Sequence, residues 1–323
     1  KGLPPYYKKD LIGKIAKRDF KENDNFFLSD LENKFIFKPM NYKFKLKWGY
    51  PVRFHDINDL YNISKPEILE IHLSFKDLDV NFDEILYDKY DSDLIVHSPE
   101  QFDKDLILDL CSFDIKKRNL SIKQMKKVIN LVKKIKQRFN NYNDKILLIT
   151  NVGGYSYDKN FNSKEIKKLE INLLKSLDEL KDDEVEIIPQ TMPPYPWHFG
   201  GQNIHNLFLD PKQISDFCKK NGYRVCFDIS HSALFCNNKN IHFENFIKKI
   251  SKHVAHLHIS DALGVDGEGL EIGDGEINFI DLSYDLKKLF NKISFIPEVW
   301  QGHKNEGSGF WKALNYLYKN KIV

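Results

Sequence analysis

Eight short apolar runs constrain this chain more than any other feature. Most end in polar or ionisable residues and lead into a Lys/Glu-rich stretch of helical periodicity. They are KWGYPVRF (47–54), ILEIHLSF (68–75), DLIVHSPE (93–100), KILLITNVGG (145–154), EVEIIPQT (184–191), YRVCFDISH (223–231), HVAHLHISDA (253–262) and ISFIPEVW (293–300). Helical stretches fall at 121–138, 163–181, 211–221, 243–251, 280–291 and 307–320, with a short one at 57–64, while 101–118 has no clear pattern. Strands alternating with helices build a parallel sheet, because parallel neighbours need a crossover between them. Eight such units predict an α/β chain closed into a (β/α)8 TIM barrel. The alternative, an open doubly wound sheet, usually carries a glycine-rich phosphate turn after an early strand. Here no G-x-G-x-x-G follows the first run and there is no P-loop; the glycine-rich GEGLEIGDG (267–275) comes after the seventh run.

Composition narrows the function classes. With 41% hydrophobic residues a large core is available, and 49 basic against 46 acidic residues leave a net charge of only +3. That balance argues against a chain built to wrap nucleic acid. No apolar run approaches the roughly 18 residues of a membrane span, and no signal peptide is visible. The four cysteines, Cys111, Cys218, Cys226 and Cys236, form no C-x-x-C pair. Buried free thiols and a cytoplasmic location are therefore expected. The chain opens on Lys1 rather than Met, which points to a piece of a longer protein.

In a barrel of this kind the chemistry gathers at the C-terminal ends of the strands. Read in order, those ends give His55 with Arg53, His72, His97 with Glu100, Asn151, Gln190, Asp228 with His231, His258 with Asp261, and Glu298. Several histidines on one rim predict a metal or acid–base site, although a single strand-end histidine is usually structural. Gln190, Asp228, His258 and Glu298 offer oxygen and nitrogen donors suited to one divalent ion, Mn, Mg, Co or Zn. The plainer alternative pairs Asp228 and Glu298 with Arg53 or a lysine. After the fifth run, PQTMPPYPWHFGGQ (189–202) carries stiffening prolines, permissive glycines, flat faces at Tyr195 and Trp197, and hydrogen-bonding groups at His198 and Gln202. It is expected to line the mouth, contacting a sugar ring or simply capping the barrel. After the eighth run, His303 and Lys304 can hold an anionic group, though an exposed lysine is commonly just solvated.

DISH (228–231), HLHISD (256–261), PEVW (297–300) and the loop LEIGDGEINF (270–279) resemble motifs of the xylose-isomerase-like barrels, a superfamily of sugar isomerases, ketose 3-epimerases, inosose dehydratases and metal-dependent apurinic endonucleases. The resemblance covers roughly residues 45–320. It places Asp228, His258 and Glu298 at metal-ligand positions and His231 as the partner histidine, with Gln190 where the family usually has a glutamate. A glutamine cannot act as a base, so proton abstraction is expected to fall to Glu298, His231, His198 or Glu268. His72 and His97 match two further ligand positions of the endonucleases. Gln190 replaces their bridging glutamate, however, and GVDGEGLEIG (264–273) lacks their D-x-H pair. One metal, a small sugar substrate contacted by Arg53, His72, His97, Trp197, Gln202, His303 and Lys304, and no nucleic-acid partner are implied.

A second resemblance lies at the front. GLPPYYKKDLIGKIAKRDFKENDNFFLSDLE (2–32) resembles part of the antifreeze-like (SAF) domain of sialic acid synthases. The loops PQTMPPYPWHFGGQ, DGEGLEIGDGEINF and WQGHKNEGSGFW resemble the second barrel of long-form N-acetylneuraminate synthase-like proteins. This implies residues 1–33 as a SAF-like segment, 34–46 as a linker and 47–323 as the barrel. It also implies a sialic-acid-synthase-like partner domain or chain, a homodimer, and an amino sugar, sugar phosphate or nonulosonic precursor as substrate. The expected activity is metal-dependent isomerisation or epimerisation by proton transfer next to a carbonyl. Metal-assisted hydrolysis of a phosphoester or N-acetyl group, or sugar binding without catalysis, are the alternatives.

Overall fold

All eight apolar runs form strands, and the strands alternate with helices around a single sheet. The structure is a computed structural model that describes residues 3, 8–12, 16, 18–27, 37–198 and 201–323. The strands are β1 (Lys47–Val52), β2 (Ile68–His72), β3 (Asp93–His97), β4 (Ile146–Thr150), β5 (Val185–Pro189), β6 (Val225–Asp228), β7 (Val254–Ile259) and β8 (Ser294–Pro297). They run parallel in the order β6-β7-β8-β1-β2-β3-β4-β5. A parallel bridge between Gln190 and Cys226 joins the two ends of that order, closing the barrel. Beside it, the Thr191 amide donates to the Cys226 carbonyl at 3.0 Å.

The helices are α1 (Ile57–Ile63), α2 (Ile115–Ile135), α3 (Ser163–Glu179), α4 (Pro211–Asn221), α5 (Ile229–Lys239), α6 (Phe243–Ile250), α7 (Phe279–Leu289) and α8 (Lys304–Lys319). Several begin on side-chain caps: Asp114, Asn162 and Asp210 each accept from two amides of the following turn. Two differences from the sequence reading have clear causes. The sixth run was expected to extend to His231, but α5 begins at Ile229. Asp228 ends the strand and caps the helix at once, accepting from the His231 amide, so no turn residues mark the change. The first turn of α8 is left-handed at Asn305, Glu306 and Gly307, which is why the regular apolar period starts only at 307.

The barrel interior is layered. Ile68, Ile95, Ile149, Ile188, Cys226 and Ala255 form a buried apolar cluster drawn from β2 to β7. Two residues further along β2 stands Glu70, which is fully buried. The β6–β7 register shifts between Val225 and Cys226, whose partners are Val254 and His256. Ala255 is the extra residue, so it joins the apolar cluster while His256 and His258 follow it at strand spacing. Short antiparallel pairs decorate the connections after the strands. Trp197–His198 pairs with Gly201–Gln202, Ile204–His205 with Tyr155–Ser156, and Asp261–Leu263 with Gly267–Leu270. Gly153, with φ 84°, turns the chain after β4 where a Cβ would collide with Asp109.

The chain divides into two compact units, Lys1–Phe37 and Lys38–Val323. Within the first, Lys8–Leu11 forms one helical turn and the Leu3 amide donates to the Phe26 carbonyl at 2.6 Å. Apart from Leu3, the GLPP motif lies outside the described residues, as does much of the SAF-like segment. In the second unit, residues 38–46 carry no regular element. Tyr42 is nevertheless buried there, and its hydroxyl donates to Asn315 Oδ1 of α8 at 2.7 Å. All four cysteines are free and buried. Among the described residues no helix is long and apolar enough to cross a membrane.

Candidate metal centre at the barrel mouth

The ends of β5 to β8 bring Gln190, Asp228, His258 and Glu298 to one place. Asp228, His258 and Glu298 each offer one donor atom, and those atoms lie within 4.8 Å of one another. His258 Nδ1 is 2.6 Å from Glu298 Oε2 and 3.9 Å from Asp228 Oδ2. Asp228 and His258 are buried, while the Glu298 side chain keeps 26% exposure and opens the site to the mouth.

Glu70 determines which nitrogen of His258 faces the cluster. The His258 Nε2 donates to Glu70 Oε2 at 3.2 Å and stands 3.0 Å from Oε1; a carboxylate oxygen only accepts, so Nε2 carries a proton. Nδ1 is left to meet Glu298. With a carboxylate at each nitrogen both positions carry a proton as found; a cation at that place would displace the Nδ1 proton, while Glu70 keeps the one on Nε2. Glu70 also reaches His72 Nε2 at 2.7 Å, and His256 Nε2 stands 2.9 Å from its Oε2 in ion-pair range but off the line of a hydrogen bond. Burial opposes the Glu70 charge, but His258, His256 and His72 outweigh it and hold the carboxyl well below its ordinary value. Glu298 follows the same logic: burial raises it, and the charge and hydrogen bond of His258 bring it down further. His258 is raised, because Cys226, Glu298 and Glu70 overcome the cost of burying its charge.

Glu70, His72 and His258 form a second set of grouped donors. That set suits an ion less well, since the Glu70 oxygens are already engaged by imidazole nitrogens and no surface of Glu70 meets solvent.

Gln190 is tied to His97. Its Nε2 lies 3.1 Å from both Asp228 Oδ2 and His258 Nδ1, and its Oε1 lies 2.9 Å from His97 Nε2. His97 Nδ1 faces the Ser98 carbonyl at 2.9 Å, so that nitrogen must donate. A charged His97 also donates from Nε2, and the Gln190 amide then points its NH2 at Asp228. A neutral His97 accepts at Nε2, which calls for the NH2 of Gln190 and turns Oε1 toward Asp228 and His258. In the second arrangement Gln190 completes a four-donor shell, so the residues present fit one divalent ion.

Beside Asp228 sits a second titrating pair. His231 Nδ1 is 3.4 Å from Asp228 Oδ2 and 3.0 Å from the Thr191 carbonyl, while Nε2 is 3.6 Å from Glu268 Oε2. Partial loss of hydration at the mouth, where its side chain is still 39% exposed, lifts Glu268 to about 7, with His231 opposing the rise and Glu100, Asp228 and Glu298 adding to it. Burial likewise lifts Asp228 to about 6 against the pull of His231 and His258. His231 is raised: burial disfavours its charge, but Asp228, Glu268 and Glu298 favour it more.

The remaining predicted residues lie as follows. His72 stacks on His97 with ring centroids 4.8 Å apart and has Nδ1 3.8 Å from Glu298. Arg53 is exposed on the rim and donates to the His72 carbonyl at 3.1 Å. His303 is half-buried and Lys304 exposed at the start of α8. Gln202 is exposed and its amide reaches the Tyr195 carbonyl at 3.4 Å. Trp197 and His198 form a short strand, and their side chains lie outside the described residues. Asn151 and Asp261 hold loops: Asn151 accepts from the Gly153 amide, and Asp261 accepts from the amides of Ala262, Gly273 and Ile277.

Sequence reasoning missed Glu70, His256 and Thr191. A signal existed for Glu70, a charged residue in the middle of ILEIH, which otherwise reads as a buried strand. Thr191 links the seam: its hydroxyl accepts from the Asp228 amide at 2.9 Å and from Ser232 Oγ at 3.1 Å.

Comparison with known proteins gives a consistent picture. The family model described as xylose isomerase-like TIM barrel matches residues 69–319. A sequence relative, the uncharacterized protein MJ1614 of Methanocaldococcus jannaschii, is 32% identical over 198 residues, which is 58% of this chain and 65% of that protein. The chain thus spans slightly less than two thirds of that curated relative. The crystal structure of a D-tagatose 3-epimerase-like protein is similar, with a TM-score of 0.56 and 20% identity over 86% of this chain and 100% of the other. A D-allulose 3-epimerase from Methylomonas sp. in complex with D-allulose gives a TM-score of 0.58 and 11% identity over 87% and 99%.

Proposed function

The chain belongs to the xylose isomerase-like TIM-barrel family, and on that footing we propose that it is a divalent-metal-dependent sugar isomerase or epimerase. The observation that carries this reading is the convergence of Asp228, His258 and Glu298 beside a separate titrating pair, His231 and Glu268. The epimerase names of the similar structures support the same class.

Asp228, His258 and Glu298 would hold the ion, with Gln190 joining through Oε1. A divalent cation bound there would polarise a sugar carbonyl and so acidify the C–H of the adjacent, hydroxyl-bearing carbon. The chain supplies the proton transfer. Glu298 is ionised and partly open to the mouth, so it can accept a proton from that carbon. Glu268, raised to about 7, can return a proton near neutral pH, and His231 holds it beside Asp228. The Gln190 amide is neither an acid nor a base near neutral pH, so the second base of a symmetric epimerase is assigned to Glu268 rather than to the end of β5. Glu70 keeps His258 in the productive tautomer.

The substrate is placed among amino sugars, sugar phosphates and nonulosonic precursors, with a sialic-acid-synthase-like partner and a homodimeric state. This rests on the likeness of residues 2–32 and of the mouth loops to long-form N-acetylneuraminate synthase-like proteins. A cytoplasmic setting agrees with four free thiols.

The test is exchange of substrate hydrogen with solvent deuterium at the carbon next to the carbonyl. A panel of ketoses, ketose phosphates and amino sugars is incubated with ion-loaded protein and with Glu298→Gln. Exchange that the variant lacks supports the reading; no exchange with any sugar sinks it.

A further inference from the structure

Resting on the proton-transfer reading, in which Glu268 is the second base, we infer that Ser230 is a positioning residue for the reaction: its buried hydroxyl pins the β-bulge that carries Glu268 to the helical turn that carries His231. The bulge lies in the hairpin after β7. Asp261 pairs there with Leu270, and Leu263 with Gly267. One residue, Ala262, therefore stands opposite two, Glu268 and Gly269. A bulge of this kind bends its strand and re-aims the side chains at the bulged positions. Gly269 takes the left-handed conformation, with φ 68°, where a side chain would be strained. So placed, Glu268 has its Oε2 3.6 Å from His231 Nε2.

A bulge interrupts its own ladder, and here the backbone groups of Gly269 bond to other elements instead. The Gly269 amide donates to Ser230 Oγ at 3.1 Å. The same hydroxyl donates to the Asp261 carbonyl at 3.2 Å, on the opposite strand of the hairpin. Ser230 is only 1% exposed, so neither bond is shared with solvent. The Gly269 carbonyl accepts from the Trp300 amide at 2.7 Å. The approach is close: a Cβ on Gly269 would lie 3.4 Å from Trp300 Cβ. Ser230 stands two residues past Asp228, and Trp300 two past Glu298. The bulge is thus tied to the ends of β6 and β8, the strands that lead to two of the candidate donors. The Trp300 bond joins main-chain groups, which most residues could supply. Ser230 is the anchor that depends on a side chain, and an alanine there would offer neither of its bonds. In the reaction, Glu298 takes the proton from carbon, the electron pair left behind spreads onto the carbonyl, and Glu268 returns a proton. Loosening the bulge therefore spares the first transfer and slows the second.

The full chain, ion-loaded, is compared with Ser230→Ala and Ser230→Thr in deuterium oxide. Two quantities are followed on each sugar that reacts: deuterium entering recovered substrate, which needs Glu298 alone, and conversion to product, which also needs Glu268. Ser230→Ala should lower conversion relative to substrate labelling by about tenfold, the scale of one lost hydrogen bond. Its affinity for Mn²⁺ should be unchanged. Ser230→Thr, which keeps the hydroxyl, should keep the ratio. In a Glu268→Gln chain, Ser230→Ala should lower the ratio no further, since both changes act on one step. A purely structural role would lower both quantities together. An unchanged ratio in Ser230→Ala, or an equal further loss in the Glu268→Gln chain, overturns the inference. Hydrogen exchange at the Gly269 amide needs neither sugar nor ion. It should quicken in Ser230→Ala, and an unchanged rate overturns the pin as well. The two readings fail separately. Neither labelling nor conversion of any sugar by the unaltered chain removes the proton-transfer reading, and the Gly269 amide then decides the pin by itself.

Discussion

His258 Nε2 and Glu70 Oε1 stand 3.0 Å apart inside the barrel, at the ends of a contact that no solvent reaches. One carboxylate thereby holds one edge of the imidazole and leaves Nδ1 turned toward Glu298 and the other candidate donors. Glu70 thus bears on the candidate centre although it is fully buried within β2.

Glu70→Gln should weaken divalent-ion binding by about 10- to 100-fold, the usual effect of removing a partner behind a metal-bound histidine. The loss arises because an amide oriented by three imidazoles fixes the His258 tautomer less firmly. Titration with Mn²⁺ followed by electron paramagnetic resonance measures it. Unchanged affinity would assign Glu70 to packing only.

Metal removal offers a second check. Protein purified without chelator should carry one divalent ion per chain, and Asp228→Ala should carry none by elemental analysis. Re-adding the ion at about 100 times its Kd should stabilise the chain by about 2.7 kcal/mol, seen as a raised Tm. Two or three bound ions would favour the hydrolase alternative.

Gln190→Glu should act in opposite directions with and without the ion. Without it, a carboxylate placed 3.1 Å from Asp228 Oδ2 meets a like charge, and a loss of about 1–3 kcal/mol is expected. With it, the added charge completes the shell and tightens ion binding by about tenfold or more. Thermal melts at several Mn²⁺ concentrations should cross those of the unaltered chain; parallel curves would remove Gln190 from the site.

The raised Glu268 carboxyl gives a pH prediction. It is protonated in the folded chain up to about 7, whereas an ordinary glutamate has released its proton well below that. The folded chain therefore holds the extra proton, and rising pH through this window lowers the contribution of Glu268 to stability. The side chain is 39% exposed, so solvent screens the effect and the stability change should be small. The kinetic effect is the larger one: turnover should change across a limb near pH 7, and Glu268→Gln should remove that limb. A limb that survives the substitution belongs to another group.

The barrel and most of the donors were legible because their signals are local. Each apolar run is a strand buried on both sides, and Asp228, His258 and Glu298 stand where such strands end. What escaped detection depends on which residues meet across the barrel. Glu70 and His256 lie within β2 and β7, and only closure makes them neighbours. The start of α5 was hidden because Asp228 leaves no turn between strand and helix. The paired roles of Gln190 and His97 are invisible to spacing, since they come from strands 93 residues apart.

The seam between β5 and β6 has one further consequence. Where β4 and β5 share five paired positions, β5 and β6 meet through the Gln190–Cys226 bridge and the hydroxyl of Thr191. Gln190 and Asp228, which end those two strands, are also donors of the candidate centre. Closing the barrel at this seam therefore also brings two donors of the candidate centre together. A cation seated there acts as a clasp on the seam, and amide hydrogens at Thr191 and Asp228 report, by their rate of exchange, whether it is fastened.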